Sequence, residues 1–129
     1  MKNKFELTIV LPAKAKDIFD AWLSSEGHAA MTGSPAKVDG KVGGAFSAWD
    51  GYIVGKTLEI ESARRIVQSW RTSEFPEDAP DSRLEILLEA VKNGTKLTLI
   101  HSDMPEDQLE SYKHGWKDSY FLPMKEYFG

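Results

Sequence analysis

The stretch from Pro105 to Phe128 constrains the fold of this chain most. Wound at about 100° per residue, it places Leu109, Tyr112, Trp116, Tyr120 and Tyr127 within one arc of roughly 80°, flanked by Met124, Phe121 and Phe128. This spacing predicts one helix about 36 Å long, at ~1.5 Å per residue, with an aromatic face. Asp103 and Glu106 stand at capping-box spacing ahead of it, and Pro105 suits a first turn whose N–H groups have no acceptor anyway. Pro123 is the irregularity. Inside a helix it removes the bond to the Ser119 carbonyl and crowds the preceding turn, so a kink is expected that re-aims Met124, Tyr127 and Phe128. So wide an apolar stripe needs a broad partner, and everything upstream reads as strands. A curved sheet wrapped around the helix is the expected answer.

Phe5, Leu7 and Ile9 alternate with Glu6 and Thr8, the period-2 pattern of a half-buried strand that ends near Pro12. Two short helices come next. One runs over about 15–24, with Ile18, Phe19, Ala21, Trp22 and Leu23 as its apolar set, and one over 26–32 contains His28 and Met31. From Ala36 onward, Asp39-Gly40, Asp50-Gly51 and Asn93-Gly94 punctuate the chain as tight antiparallel turns. Between them lie predicted strands at 36–38, 42–49, 52–60, 65–72, 83–90 and 95–102. Nothing alternates strand with helix in the manner that builds parallel sheets. Leu84, Ile86 and Leu88 share one face, as do Leu97 and Leu99, and that phase turns His101 inward. Ile53 has the opposite parity to Leu58 and Ile60, so a bulge is expected near Gly55, at a position needing positive φ. The polar segment 73–82, with Pro76, Asp78, Pro80 and Asp81, is long for a hairpin and is expected to be mobile.

The 129 residues are the size of one domain, 1–129, with a core of its own. A net charge of −4 with mixed signs offers no basic stripe for nucleic acid and no polybasic membrane anchor. The absence of cysteine excludes disulfides, thiolate metal sites and a cysteine nucleophile. Lys2 and Lys4 precede an apolar run, but Glu6 interrupts it, and no run approaches the ~20 apolar residues of a membrane span. A cytoplasmic chain is expected. His28, His101 and His114 have no metal-ligand spacing, and no Gly-x-Ser-x-Gly elbow is present. Val42-Gly43-Gly44-Ala45 lacks the Lys and the helix of a phosphate loop and reads as a strand that bends. No catalytic residue, metal or cofactor is assigned.

A sheet that curls around one helix encloses more space than the helix fills. The residues expected to face that space are Trp22, Met31, Phe46, Trp70, Leu84, Leu99, His101, Tyr112, Trp116, Tyr120 and Met124, with His101 as polar anchor. Access is expected through Gly27 to Pro35, and Arg71 would join the site only if turned inward.

Several motifs, in order, carry a family resemblance. They are Val42-Gly43-Gly44-Ala45-Phe46, Asp50-Gly51-Tyr52-Ile53-Val54-Gly55, Arg65-Ile66-Val67-Gln68-Ser69-Trp70-Arg71, Gly94 to Ser102, and Gly115-Trp116-Lys117 with Tyr120-Phe121-Leu122-Pro123-Met124. Together they resemble the domain named after the C-terminal part of the Hsp90 ATPase activator, over nearly the whole chain. The order of elements is similar to the helix-grip fold of START domains, the major birch pollen allergen and polyketide cyclases. The resemblance implies an α+β helix-grip fold: a seven-stranded curved antiparallel sheet around a long C-terminal helix, with two short helices after the first strand. The full activator also carries an unrelated N-terminal domain that supplies much of its chaperone binding, and this chain starts at the first helix-grip strand, so the name is not the function. Three functions are compatible with the residues. The first is a binding protein for a small hydrophobic or amphipathic ligand. The second is a protein-interaction module, chaperone-associated or homodimeric, that uses the outer sheet edge or loop 73–82. The third is a cyclase-like or hydrolase-like enzyme, for which no carboxylate is placed beside His101.

Overall fold

The alternating strands pair as an antiparallel meander. In a computed structural model that describes residues 3–129, β1 (Lys4–Leu11) leads to α1 (Ala15–Trp22) and α2 (Ser25–Thr32). Next come β2 (Lys37–Val38), β3 (Ala45–Ala48), β4 (Ile53–Glu61), β5 (Arg65–Thr72), β6 (Ser82–Val91) and β7 (Gly94–Ser102), and then a terminal helix, α3, over residues 106–128. The sheet order is β1-β7-β6-β5-β4-β3-β2. Lys2, which with Lys4 precedes the first apolar run, lies outside the described residues. No helix among them is long and apolar enough to cross a membrane.

The side of the sheet facing α3 obeys the predicted alternation where strands are long. Leu84, Ile86, Leu88, Leu97, Leu99 and His101 are all buried, and Asn93, at φ +73, turns β6 into β7 with Val91 opposite Gly94. The β3 end departs from it. Strand β3 covers only Ala45–Ala48, because Gly43 sits at φ +86 and Trp49, Asp50 and Gly51 at +53, +56 and +87, leaving Val42 exposed.

The parity change in β4 is present but displaced from Gly55. The register against β5 shifts between Thr57 and Glu59, while across Gly55 it is unchanged. Gly55 is required for another reason than positive φ: a Cβ there would lie 1.9 Å from the Ser69 carbonyl oxygen and 2.8 Å from the Phe46 ring. Beside the shift, Trp22 Nε1–H donates to Gln68 Oε1 (3.1 Å) and Gln68 Nε2–H to Thr57 Oγ1 (3.2 Å). This buried chain fastens α1 to the bent strands. The segment 73–82 is tied down rather than loose. The Arg71 guanidinium donates to the carbonyls of Ala79 and Pro76 and to Asp81, and covers the buried Phe75 ring at 5.3 Å. Arg71 thus faces its own loop and not the interior.

Helix α3 begins without the capping box. Pro105 occupies the cap position with no side-chain bond, and Asp103, at φ +68, bonds through its N–H to the Asn3 carbonyl. At Pro123 the adjustment is a π-turn in place of a simple kink: Trp116–Phe121 is π-helical, and Leu122 N–H reaches back five residues to the Lys117 carbonyl. Widening the turn just ahead of a residue that cannot donate relieves the clash of its ring with the Ser119 carbonyl. The extra residue rotates the last two turns of the helix by about 100°. Met124 is therefore fully buried and Phe128 packs on the core, while Tyr127, expected inside, is 52% exposed.

Candidate functional site

Helix α3 offers Tyr112, Gly115, Trp116, Ser119 and Tyr120 to the sheet at helical spacings of three and four, and the sheet answers with Trp70 from β5 and Ile53 from the start of β4. Between them, closed on one side by Trp49 and Tyr52 of the β3–β4 turn, is a cavity of about 340 Å3. Its floor is buried: Ile53, Trp70, Tyr112, Trp116 and Tyr120. Its rim is half-buried: Trp49, Tyr52, Gly115 and Ser119. A side chain at Gly115 would meet no atom within 4 Å, so its absence helps keep that side open.

The walls are rings packed on rings. Trp116 lies 4.7 Å from Tyr120 and 5.7 Å from Trp70, centroid to centroid, and Trp22 backs it at 6.3 Å and 24°. Two chains of hydrogen bonds lock this wall from behind. In the first, Trp116 Nε1–H donates to His101 Nδ1 (3.1 Å), so the neutral ring carries its proton on Nε2 and donates to Ser82 Oγ (2.8 Å), whose hydroxyl donates to the Trp70 carbonyl (2.7 Å). A second proton on His101 would face the Trp116 N–H head-on, and burial holds its pKa down at about 3. In the second, His28 Nδ1–H donates to the Trp22 carbonyl (3.0 Å), which leaves Nε2 to accept from the Tyr120 hydroxyl (2.7 Å). Burial lowers His28, although its bond to that carbonyl opposes the shift, and burial pushes the Tyr120 phenol well up.

The hydroxyls of Tyr112 and Tyr52 are also engaged. Tyr112 donates to Gln108 and bonds Thr72 Oγ1 at 2.7 Å, and Tyr52 donates to Glu74, burial and that carboxylate raising its pKa to about 12. Among the described residues lining the cavity there is no carboxylate, histidine, lysine or arginine. The site can bury and orient a molecule, and it presents no acid–base pair. No group of three or more His, Cys, Asp or Glu among the described residues is placed to hold a metal ion.

Of the residues expected around the cavity, Trp70, Tyr112, Trp116 and Tyr120 line it. Trp22, Met31, Phe46, Leu84, Leu99, His101 and Met124 stand behind the wall, all buried. The cavity opens between the 49–52 turn and α3, and none of its lining residues comes from 27–35. Sequence reasoning did not select Trp49, Tyr52, Ile53, Gly115 or Ser119. For the first three the available signal was the Asp50-Gly51 turn, whose flanking aromatics were read only as strand ends.

Comparison with known proteins agrees with this architecture. The family model described as Activator of Hsp90 ATPase homolog 1-like protein matches residues 12–129. The human activator of 90 kDa heat shock protein ATPase homolog 1 is 27% identical over 115 residues, 88% of this chain and 33% of that protein. The chain thus spans about a third of the length of the curated relatives it matches. Among solved structures, an Hsp90 activator from Plasmodium falciparum matches with a TM-score of 0.86 at 30% identity, covering 95% of this chain and 94% of that one. The Aha1 dimer from Colwellia psychrerythraea has a TM-score of 0.83 at 19% identity, covering 97% and 95%, a likeness of fold alone. With a family model matched along almost its whole length, the chain belongs to the family of activator of Hsp90 ATPase homolog 1-like proteins.

Proposed function

We propose that this protein binds a small apolar or amphipathic molecule in the cavity between α3 and the sheet. The observation that carries this reading is an aromatic-walled space of about 340 Å3 beside a core of buried side chains. Ligand pockets run from roughly 300 to 1,000 Å3, so this one suits a compact molecule. Titration with small aromatics, flavonoids and short fatty acids, followed by tryptophan fluorescence and amide exchange, tests it. Binding should quench emission and slow exchange in 49–53 and 115–120. If no compound in the set does either, the reading is wrong.

A second reading rests on the Plasmodium falciparum relative, which is described as an Hsp90 activator and is matched over 94% of its chain. In that reading the present protein docks on a chaperone of the same type. Adding it to purified Hsp90 from the same cell should raise ATP turnover. Unchanged turnover, with no complex in sedimentation, would remove this alternative.

A further inference from the structure

Three irregularities meet at one cavity, two of them at Trp49 and the third across the space in α3. Trp49, just ahead of the Asp50-Gly51 turn, takes a positive φ of +53, which a bulky residue adopts only when its surroundings impose it. Across the space, α3 passes through its π-turn at Trp116–Phe121, and such turns are frequent at functional sites. Finally, Trp49 Nε1 is buried with no hydrogen-bond partner in the protein. The other such atom among the described residues, Ser102 Oγ, belongs to no residue of the cavity wall. Trp49 Nε1 is near enough to the Tyr120 oxygen to ease its ionisation slightly, yet it falls outside hydrogen-bond geometry. A buried indole N–H usually finds an acceptor, and here the turn holds the ring short of the one oxygen near it, that of Tyr120.

The remaining polar tips narrow the ligand class. The hydroxyls of Tyr52, Tyr112 and Tyr120 and the Trp116 N–H are committed to Glu74, Gln108, His28 and His101, which leaves the half-buried Ser119 hydroxyl at the rim as the other polar tip beside Trp49 Nε1. No cation lines the wall, so a carboxylate would shed its hydration without a counter-charge. Six of the nine lining residues are aromatic, and only Ile53 is aliphatic, which favours a flat ring system over a flexible chain. At the close packing of protein interiors, the volume holds roughly a dozen to twenty non-hydrogen atoms.

We infer that the cavity takes a flat, uncharged aromatic molecule bearing a carbonyl-type acceptor, and that Trp49 Nε1–H is the donor that receives it. This rests on the proposed binding function and specifies its ligand chemistry and its orienting residue.

Three probes of one shape separate the claims: 2-acetylnaphthalene, 2-ethylnaphthalene and 2-naphthoate, titrated into the 15N-labelled protein. The ketone should bind about threefold to tenfold more tightly than the hydrocarbon, the range of one net hydrogen bond, and more tightly than the carboxylate. The Trp49 indole N–H resonance should move downfield with the ketone and not with the hydrocarbon. In Trp49→Phe the ketone's advantage should vanish while hydrocarbon binding persists. Should that variant fail to fold, the indole resonance of the unaltered protein decides alone. Equal binding of ketone and hydrocarbon, naphthoate binding as tightly as the ketone, or an unmoved Trp49 resonance overturns the inference and leaves the binding function standing. Failure of all three probes to bind overturns both.

Discussion

The two ends of the sheet meet the same helix with different results. Under β5, β6 and β7 the inward side chains Ile66, Leu84, Ile86, Leu97 and Leu99 are sealed to 1% exposure or less, and the buried polar groups of His101 and Gln68 are each joined to partners, His101 to Ser82 and Trp116 and Gln68 to Trp22 and Thr57. Under β3 and the start of β4 lie positive-φ residues, a donor without an acceptor and the cavity. Strand length accounts for the contrast. Strands β6 and β7 have 10 and 9 residues, whereas β3 and β2 have 4 and 2. The sheet runs out before the helix does. The rings of Tyr112 and Trp116 pack on Trp70 of the full strand β5, and toward the β3–β4 turn, where the strand is missing, they and Tyr120 become the wall of a space.

The largest expected effect tests whether the open end is merely loose. Gly55→Val should cost roughly 4 kcal/mol or more, the range of severe core damage, because the added Cβ meets a β5 carbonyl 1.9 Å away that cannot swing aside. A urea midpoint within error of wild type would show that β4 and β5 separate easily and that the open end has no fixed geometry. Next, Trp116→Ala should cost about 3 to 5 kcal/mol. Trp116 borders the cavity, but it also packs on Trp22 and Trp70 and satisfies His101, so its loss strands a buried nitrogen acceptor at the closed end. A loss below about 1 kcal/mol would place Trp116 with the open end only.

Acid should attack the closed end first. His101 stays neutral in the folded protein down to about pH 3, while an unfolded histidine takes a proton near pH 6.5. The unfolded state therefore binds more protons between those values, and stability falls as the pH drops through that window. By pH 5 the loss should be about 2 kcal/mol from His101, with a further loss in the same direction from His28. Denaturation midpoints measured from pH 7 to 5 would show this slope, and a flat profile would mean that His101 is charged inside. The smallest contrast is the most direct. Leu99→Ala should cost about 2 to 5 kcal/mol, and Ile53→Ala about 1 to 2 kcal/mol less than that, since the wall at Ile53 already faces a space. Equal losses would erase the distinction between the two ends.

The closed end was legible in the sequence because alternation and turn chemistry are local. Leu84, Ile86 and Leu88 declare their face within five residues, and Asn93-Gly94 declares its hairpin within two. The aromatic stripe of α3 was equally plain. Two features were hidden. The π-turn depends on how the chain accommodates Pro123, a choice among several adjustments, and it decided that Phe128 and not Tyr127 turns inward. The cavity wall depends on where β3 stops, and β3 stops early because Trp49, ahead of the Asp50-Gly51 turn, adopts a positive φ that a bulky residue does not favour. His101 shows the same limit: its inward phase was readable, but whether it met ligand or protein depended on Ser82 and Trp116, 19 and 15 positions away.

The extra residue in the π-turn makes α3 a screw with two threads. Tyr112 and Trp116 seat one thread and Met124 and Phe128 the other, with the changeover at Trp116–Phe121. A change of chain length at that point would act on the winding: removing one exposed residue, Lys117 or Asp118, would take out the extra residue and let the helix regain its ordinary winding with both threads still seated. Closing the π-turn at full chain length would instead leave the first half engaged while the second turned by about 100°, carrying Tyr127 in and Phe128 out. Loss of the π-turn on the solvent side of this helix would thus be read out about three turns later, in which ring meets the sheet.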